Sequence, residues 1–131
     1  MPARILVIED NPDNLALAVY LLGAAGHETI EARDGAQGVR AAREALPDLI
    51  VCDLQMPVLD GFEVLQHLRV DPATRSIPVV AVTAFSMPSD RARVEAAGFD
   101  GYLSKPIDPE RFAQQVESHF PAQARSLRGQ G

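Results

Sequence analysis

Two short apolar runs in this chain end in carboxylates. Arg4-Ile5-Leu6-Val7-Ile8 is followed by Glu9 and Asp10, and Leu49-Ile50-Val51-Cys52 by Asp53. Unbroken apolar runs of this length suit strands covered on both faces, as in a parallel sheet. A carboxylate is costly inside such a strand and tolerated at its end, where the chain opens into a loop. Further on, Gly101-Tyr102-Leu103-Ser104 ends in Lys105. If the runs lie parallel and side by side, three carboxylates and one ammonium meet at one sheet edge.

Helical patterns fill the intervals. Asn11-Pro12 reads as N-cap and first helical position, with Leu15, Val19 and Leu22 as the inner stripe and Gly26 as the stop. Residues 28–32 alternate polar and apolar, as an edge strand does. Asp34-Gly35 turns the chain into a second helix marked by Val39, Ala42 and Leu46 and closed by Pro47. A loop from Asp53 to Gly61 leads to a third helix, facing the core through Phe62, Leu65 and Leu68. Residues 79–82 form a fourth strand. Pro88 opens a fourth helix, which runs to about Ala97 and ends at Gly98. Asp108-Pro109-Glu110 starts a fifth, with Phe112, Val116 and Phe120 inward. Five strands alternating with five helices make an α/β domain with a parallel sheet and right-handed crossovers. Ligands of such sheets bind outside the carboxyl ends of the strands. Glu9, Asp10, Asp53, Thr83 and Lys105 all fall there.

The bulk numbers narrow the function classes. With 131 residues the chain is read as one domain, residues 1–120, followed by a short polar tail, 121–131. No apolar run is long enough to span a membrane. The start shows no signal-peptide pattern, and the single cysteine, Cys52, allows no intrachain disulfide, so a cytoplasmic setting is expected. Cys52 itself reads as a small buried hydrophobe. His27, His67 and His119 are scattered and read as solvated. A net charge of −6 argues against direct nucleic-acid binding.

Three carboxylates within a few ångström repel and call for a divalent cation. Magnesium fits: it is hard, oxygen-loving and content with few carboxylates, and no His or Cys joins the cluster to favour zinc. With Mg²⁺ and Lys105 the site is formally neutral and accepts a phosphoryl group. Asp53 is the expected nucleophile, because a carboxylate attacks phosphorus without a general base. Lys105, the Thr83 hydroxyl, and main-chain amides of the loop after Asp53 and of Ala84 would stabilise the phosphoryl oxygens.

Four segments carry a family resemblance: Ile8-Glu9-Asp10-Asn11, Asp53-Leu54-Gln55-Met56-Pro57 with Asp60-Gly61, Val82-Thr83-Ala84, and Tyr102-Leu103-Ser104-Lys105-Pro106. In this order and spacing the chain resembles the receiver domains of two-component response regulators. Thr83-Ala84-Phe85-Ser86-Met87 is similar to DivK-like single-domain regulators. The resemblance implies a flavodoxin-like, CheY-like doubly wound sheet of order 2-1-3-4-5. It implies that Asp53 takes a phosphoryl group from a phosphohistidine of a sensor histidine kinase or histidine phosphotransfer protein. Asp10 would hold Mg²⁺ directly, Glu9 mostly through water, and Gln55 through its carbonyl, with Asp53 completing the set. Lys105 would pair with the phosphoryl group across a cis Lys105–Pro106 bond. Thr83 would move towards the new phosphate and Tyr102 swing inward, changing affinity for a downstream protein through the fourth helix, fifth strand and fifth helix. Phosphorylation-dependent dimerisation is left open. Phe85 and Gln55 depart from the commonest residues at their positions and would tune hydrolysis.

A receiver piece of a larger regulator or hybrid kinase would carry the same motifs and stays open as an alternative. Other classes fit less well. Haloacid-dehalogenase-type phosphohydrolases need a second Asp two residues after the nucleophile, and position 55 is Gln. A nucleotide or flavin module would not place the acidic, glycine-free turn Glu9-Asp10-Asn11-Pro12-Asp13 against a phosphate. A pseudo-receiver would not need the complete set of site residues. The fourth helix has little large apolar surface and is expected to be loosely held.

Overall fold

The computed structural model describes residues 3–84 and 87–120. Five strands, β1 Arg4–Ile8, β2 Glu28–Ala32, β3 Leu49–Asp53, β4 Val79–Thr83 and β5 Gly101–Ser104, form one parallel sheet of order β2-β1-β3-β4-β5. The helices are α1 Pro12–Ala24, α2 Gly35–Ala45, α3 Gly61–Val70, α4 Pro88–Ala97 and α5 Phe112–Glu117. This is the flavodoxin-like order expected. The chain leaves β1 in both directions, to β2 on one side and β3 on the other, which opens the crevice above β1 and β3.

Alternate strand residues build two cores. Leu6, Ile8, Ile50, Cys52, Val79 and Ala81 pack under α2, α3 and α4. Ile5, Val7, Leu49, Val51, Val80 and Val82 pack under α1 and α5. Burial on both faces explains why these strands read as continuous apolar runs rather than alternating ones. β2, at the edge, is only partly covered and alternates.

Local chemistry sets the helix ends. The Asn11 side chain accepts from the Asp13 and Asn14 amides, and Gly26, at φ +94, follows α1. Asp60 and Glu63 form a reciprocal capping box on α3. Gly98, at φ +102, closes α4. The Lys105–Pro106 peptide is cis.

Several details differ from the sequence reading. Leu46 is not an inner-face residue: it takes φ +47 just past α2 and is half exposed, so Gly38, Val39 and Ala42 make the buried stripe. In α1 the buried residues are Leu15, Ala18 and Leu22, with Val19 only packed at the margin. Val64 rather than Phe62 joins Leu65 and Leu68 in the core; Phe62 stands half-buried, edge-on to Phe99 and beneath the Arg93 guanidinium. The expected helix start at Asp108 is a hydrogen-bonded turn, because the Asp108 carboxylate accepts from Glu110 and its carbonyl from Arg111 and Phe112. Regular helix begins at Phe112, and Phe112, Val116 and Phe120 are buried as expected.

His27 is the largest correction. It is buried, not solvated: Nδ1 accepts from the Ala3 amide at 3.3 Å and Nε2 lies 2.7 Å from Glu117. With Nδ1 accepting, Nε2 carries the proton given to the carboxylate. The ring also meets Phe120 edge-on at 5.3 Å. His119 is half-buried over Gly101, where a β-carbon would lie 2.5 Å from its Nε2. Only His67 is exposed. No periodicity marks His27, since its burial depends on α5 arriving from a distant part of the chain.

This tether ties the N-terminus of β1 and the start of β2 to α5. Replacing His27 with Ala should lower the unfolding free energy by about 2–3 kcal/mol through lost packing and two lost hydrogen bonds. Glu117→Gln should cost less, because its amide oxygen still accepts from Nε2. Urea unfolding of the three proteins checks the order.

Candidate functional site

Strand register places the site. Ile8 pairs with Cys52, Asp53 with Val82, and Thr83 with Ser104. Glu9, Asp53, Thr83 and Lys105 therefore emerge side by side at the carboxyl ends of β1, β3, β4 and β5. The Lys105 amide donates to the Thr83 carbonyl at 2.8 Å, locking the last two positions together.

Three carboxylates converge. One oxygen each from Glu9, Asp10 and Asp53 lies within 4.8 Å of the others. Glu9 and Asp53 are buried, whereas Asp10 faces solvent. The Lys105 Nζ sits 2.8 Å from Glu9 and 3.3 Å from Asp53. The second Glu9 oxygen accepts the Asn11 amide at 3.1 Å, and Asp53 accepts the Gln55 amide at 3.4 Å. Glu9 is thus the better-held carboxylate, a difference the sequence does not signal.

Electrostatics follow from burial. Desolvation pushes the Glu9 carboxyl above the usual carboxylate range, and Lys105 and the Asn11 amide only partly offset this; neighbouring Asp53 adds to the rise. Burial alone would lower the Lys105 pKa, but its contacts with Glu9 and Asp53 outweigh that and raise it. The ammonium stays charged. Burial, with the nearby carboxylates, drives the Cys52 thiol far up, and its Sγ rests 3.2 Å from the Asp53 carbonyl, so it is inert packing.

The remaining expected residues lie around this cluster. Thr83 is fully buried at the end of β4, while Ala84 and Gln55 are exposed at the rim. Tyr102, on β5, is half-buried, with the Arg91 guanidinium 5.9 Å from its ring centre. In α4 Val94 is the sole buried residue, in keeping with a weakly held helix. Phe85 lies outside the described residues, as do Ser86 and the tail 121–131.

The loop after Asp53 carries a residue the sequence reading passed over. Val58 has φ +68, and the Leu59 amide donates to the Pro57 carbonyl at 2.8 Å across it, closing a γ-turn. Such a backbone costs about 1–3 kcal/mol at a non-glycine position. A Pro-X pair shortly before Asp60-Gly61 was the available signal, because it marks a tight turn.

Residues 5–117 match the response regulator receiver domain family. The polar-differentiation response regulator DivK of Brucella anthropi is 43% identical over 120 residues, covering 92% of this chain and 98% of its own. The chemotaxis response regulator CheY4 of Vibrio cholerae matches with TM-score 0.86 at 28% identity, over 92% of this chain and 100% of its own. A receiver domain from a Pseudomonas aeruginosa sensor histidine kinase, solved with a magnesium ion coordinated in its active-site cleft, matches with TM-score 0.81. It is 31% identical, over 90% of this chain and 97% of its own.

The shared ammonium gives one direct test of the electrostatics. Lys105→Met removes the cation between two buried carboxylates, so the Glu9 pKa should rise further. Carboxyl ¹³C shifts followed through a pH titration read it; an unchanged Glu9 titration would mean that Lys105 does not compensate the pair.

Proposed function

The chain belongs to the response regulator receiver family of two-component signalling, and on that premise we propose that Asp53 is its phosphoacceptor. The observation that carries this is the placement of the Lys105 ammonium, 3.3 Å from a buried Asp53 and 2.8 Å from Glu9. A nucleophilic carboxylate needs its charge offset while remaining ionised, and a neighbouring ammonium does both. One Asp53 oxygen attacks phosphorus of the donor's phosphohistidine. The O–P bond forms as the P–N bond breaks, and the departing imidazole nitrogen takes a proton.

The donor set fits magnesium. Three oxygen ligands lie within one ion's reach, one from a solvent-facing carboxylate, and no nitrogen or sulfur ligand is among them. Glu9, Asp10, Asp53 and the Gln55 carbonyl would hold Mg²⁺, which supplies positive charge against the carboxylates and the incoming phosphoryl oxygens. Lys105 neutralises a phosphoryl oxygen on the product. The Thr83 hydroxyl, from the adjacent strand end, donates to another, and exposed Ala84 leaves that approach open.

Switching follows from the weakest-held element. Movement of Thr83 at the end of β4 is passed to Tyr102 on the neighbouring strand and to α4, which buries only Val94. The two states differ in affinity for a downstream protein. Hydrolysis of the aspartyl phosphate, tuned by Gln55 and Phe85, resets the switch. The match to DivK over 98% of its length supports a stand-alone regulator.

Three measurements test this reading. Incubation with Mg²⁺ and acetyl phosphate should add one phosphoryl group in an acid-stable, base-labile linkage, and Asp53→Asn should abolish it; labelling that survives the substitution removes Asp53 from the role. Because the Glu9 pKa is raised, Glu9 gains its proton at a higher pH than an ordinary carboxylate. Mg²⁺ affinity by calorimetry should therefore fall on acidification already above the pH range in which ordinary carboxylates take up protons, and less steeply in Glu9→Gln. Amide exchange in residues 87–104 should change on adding beryllofluoride, and identical exchange would refute the switch.

A further inference from the structure

The two ends of α4 are held differently. Just past its last residue, Gly98 at φ +102 turns the chain back towards the sheet. Phe99 is buried there, edge-on to Phe62 with ring centres 5.7 Å apart. The Asp100 amide donates to the Val79 carbonyl at 2.8 Å, and the Asp100 carboxylate accepts from the Val79 amide at 2.8 Å. The same carboxylate oxygen accepts from Arg69 Nη2 at 2.9 Å. Arg69 Nη1 donates to the carbonyls of Arg75 at 3.0 Å and Ile77 at 2.8 Å. Asp100 and Arg69 thus clamp the end of α4 to the first residue of β4, to the last turn of α3 and to the loop between them. Val79 itself is fully buried.

The start of α4 has contacts of another kind. The Met87 amide donates to the Asp90 carboxylate at 3.2 Å, a bond within the helix's own first turn. Arg91 pairs with Glu95 one turn on, and both side chains are largely exposed. Met87 is exposed too, and Val94, past the midpoint, is the one buried residue of α4. The helix begins shortly after Thr83 and ends beside Val79, so it runs back along β4 with its loosely held start towards the site.

We propose that the Arg69–Asp100 clamp is a fixed pivot for α4, so that phosphorylation tilts the helix about its end and shifts its first two turns, rather than its whole length, before a partner. The proposal rests on Asp53 being the phosphoacceptor. A charge-paired, hydrogen-bonded group fastened to a buried strand residue gives way at higher cost than an exposed helix start, so a displacement arriving from Thr83 is taken up where the helix is loose. The ten residues of α4 rise about 15 Å, and a tilt of about 8° carries the Met87 end about 2 Å while leaving Asp100 in place. Arg91, on the moving part, has its guanidinium 5.9 Å from the Tyr102 ring centre, so the same tilt changes what covers Tyr102. Arg69 and Asp100 stand at the opposite end of β4 from Thr83 and take no part in the chemistry.

Residue-resolved amide exchange in Mg²⁺, with and without beryllofluoride, tests the pivot. In the parent, exchange from Ser89 to Arg93 should change about tenfold or more, while the Val79 and Asp100 amides stay within about twofold. Asp100→Ala removes the clamp, and the amides of Val79 and residue 100 should then respond as strongly as the start of the helix. Asp100→Asn keeps an oxygen for both donors and should behave as the parent does. Acetyl phosphate should label Asp53 in both variants within about twofold of the parent rate, because the clamp is remote from the cluster. Val79 and Asp100 amides that respond in the parent as strongly as Ser89 to Arg93 would overturn the pivot while leaving Asp53 in its role, whether or not the variants fold. A silent Val79 amide in Asp100→Ala would overturn it too, by placing the restraint elsewhere. A parent protein that takes no phosphoryl group from acetyl phosphate and gives no response to beryllofluoride would remove the Asp53 reading, and this proposal with it.

Discussion

The ammonium of Lys105 makes the strand-end cluster tenable. Two buried carboxylates, Glu9 and Asp53, face each other across it, and without a cation one of them would have to take a proton. The site depends on the sheet for this balance. Lys105 is positioned by its own amide bonding to the Thr83 carbonyl, and Glu9 by the amide of Asn11, the residue that also caps α1. Strand register, helix cap and charge neutralisation are thus one connected arrangement.

The same connectedness leaves the helices unequally held. β1, β3 and β4 are buried on both faces, and α1 and α5 are joined through the Phe112, Val116 and Phe120 stripe. The His27–Glu117 contact adds a polar tether at the opposite end of the sheet from the carboxylates. Among the described residues α4 buries only Val94, and it meets β5 through the Arg91 guanidinium over the Tyr102 ring.

Much of the fold was legible because periodicity reports burial directly. Continuous apolar runs marked β1, β3 and β4, and proline, glycine and asparagine punctuated the helices near their observed ends. The strand-end placement of Glu9, Asp10 and Asp53 was legible because a carboxylate is tolerated at the end of an apolar run and not inside it. Misreadings came where burial depends on remote partners. Leu46 fits the helical stripe by spacing, yet α2 ends one residue earlier, and the left-handed backbone turns its side chain out. His27 looked solvated until α5 supplied Glu117 and Phe120.

The sequence by itself determined the class of fold and the strand-end location of Glu9, Asp10, Asp53, Thr83 and Lys105. These follow from local rules: which residues tolerate a two-faced strand, and which only its ends. Tertiary structure alone decided how the charge is shared, with Lys105 closer to Glu9 than to Asp53, that His27 is buried, and that Val58 stands wholly in solvent. Those depend on distances between segments far apart in the chain, which packing sets and spacing does not record.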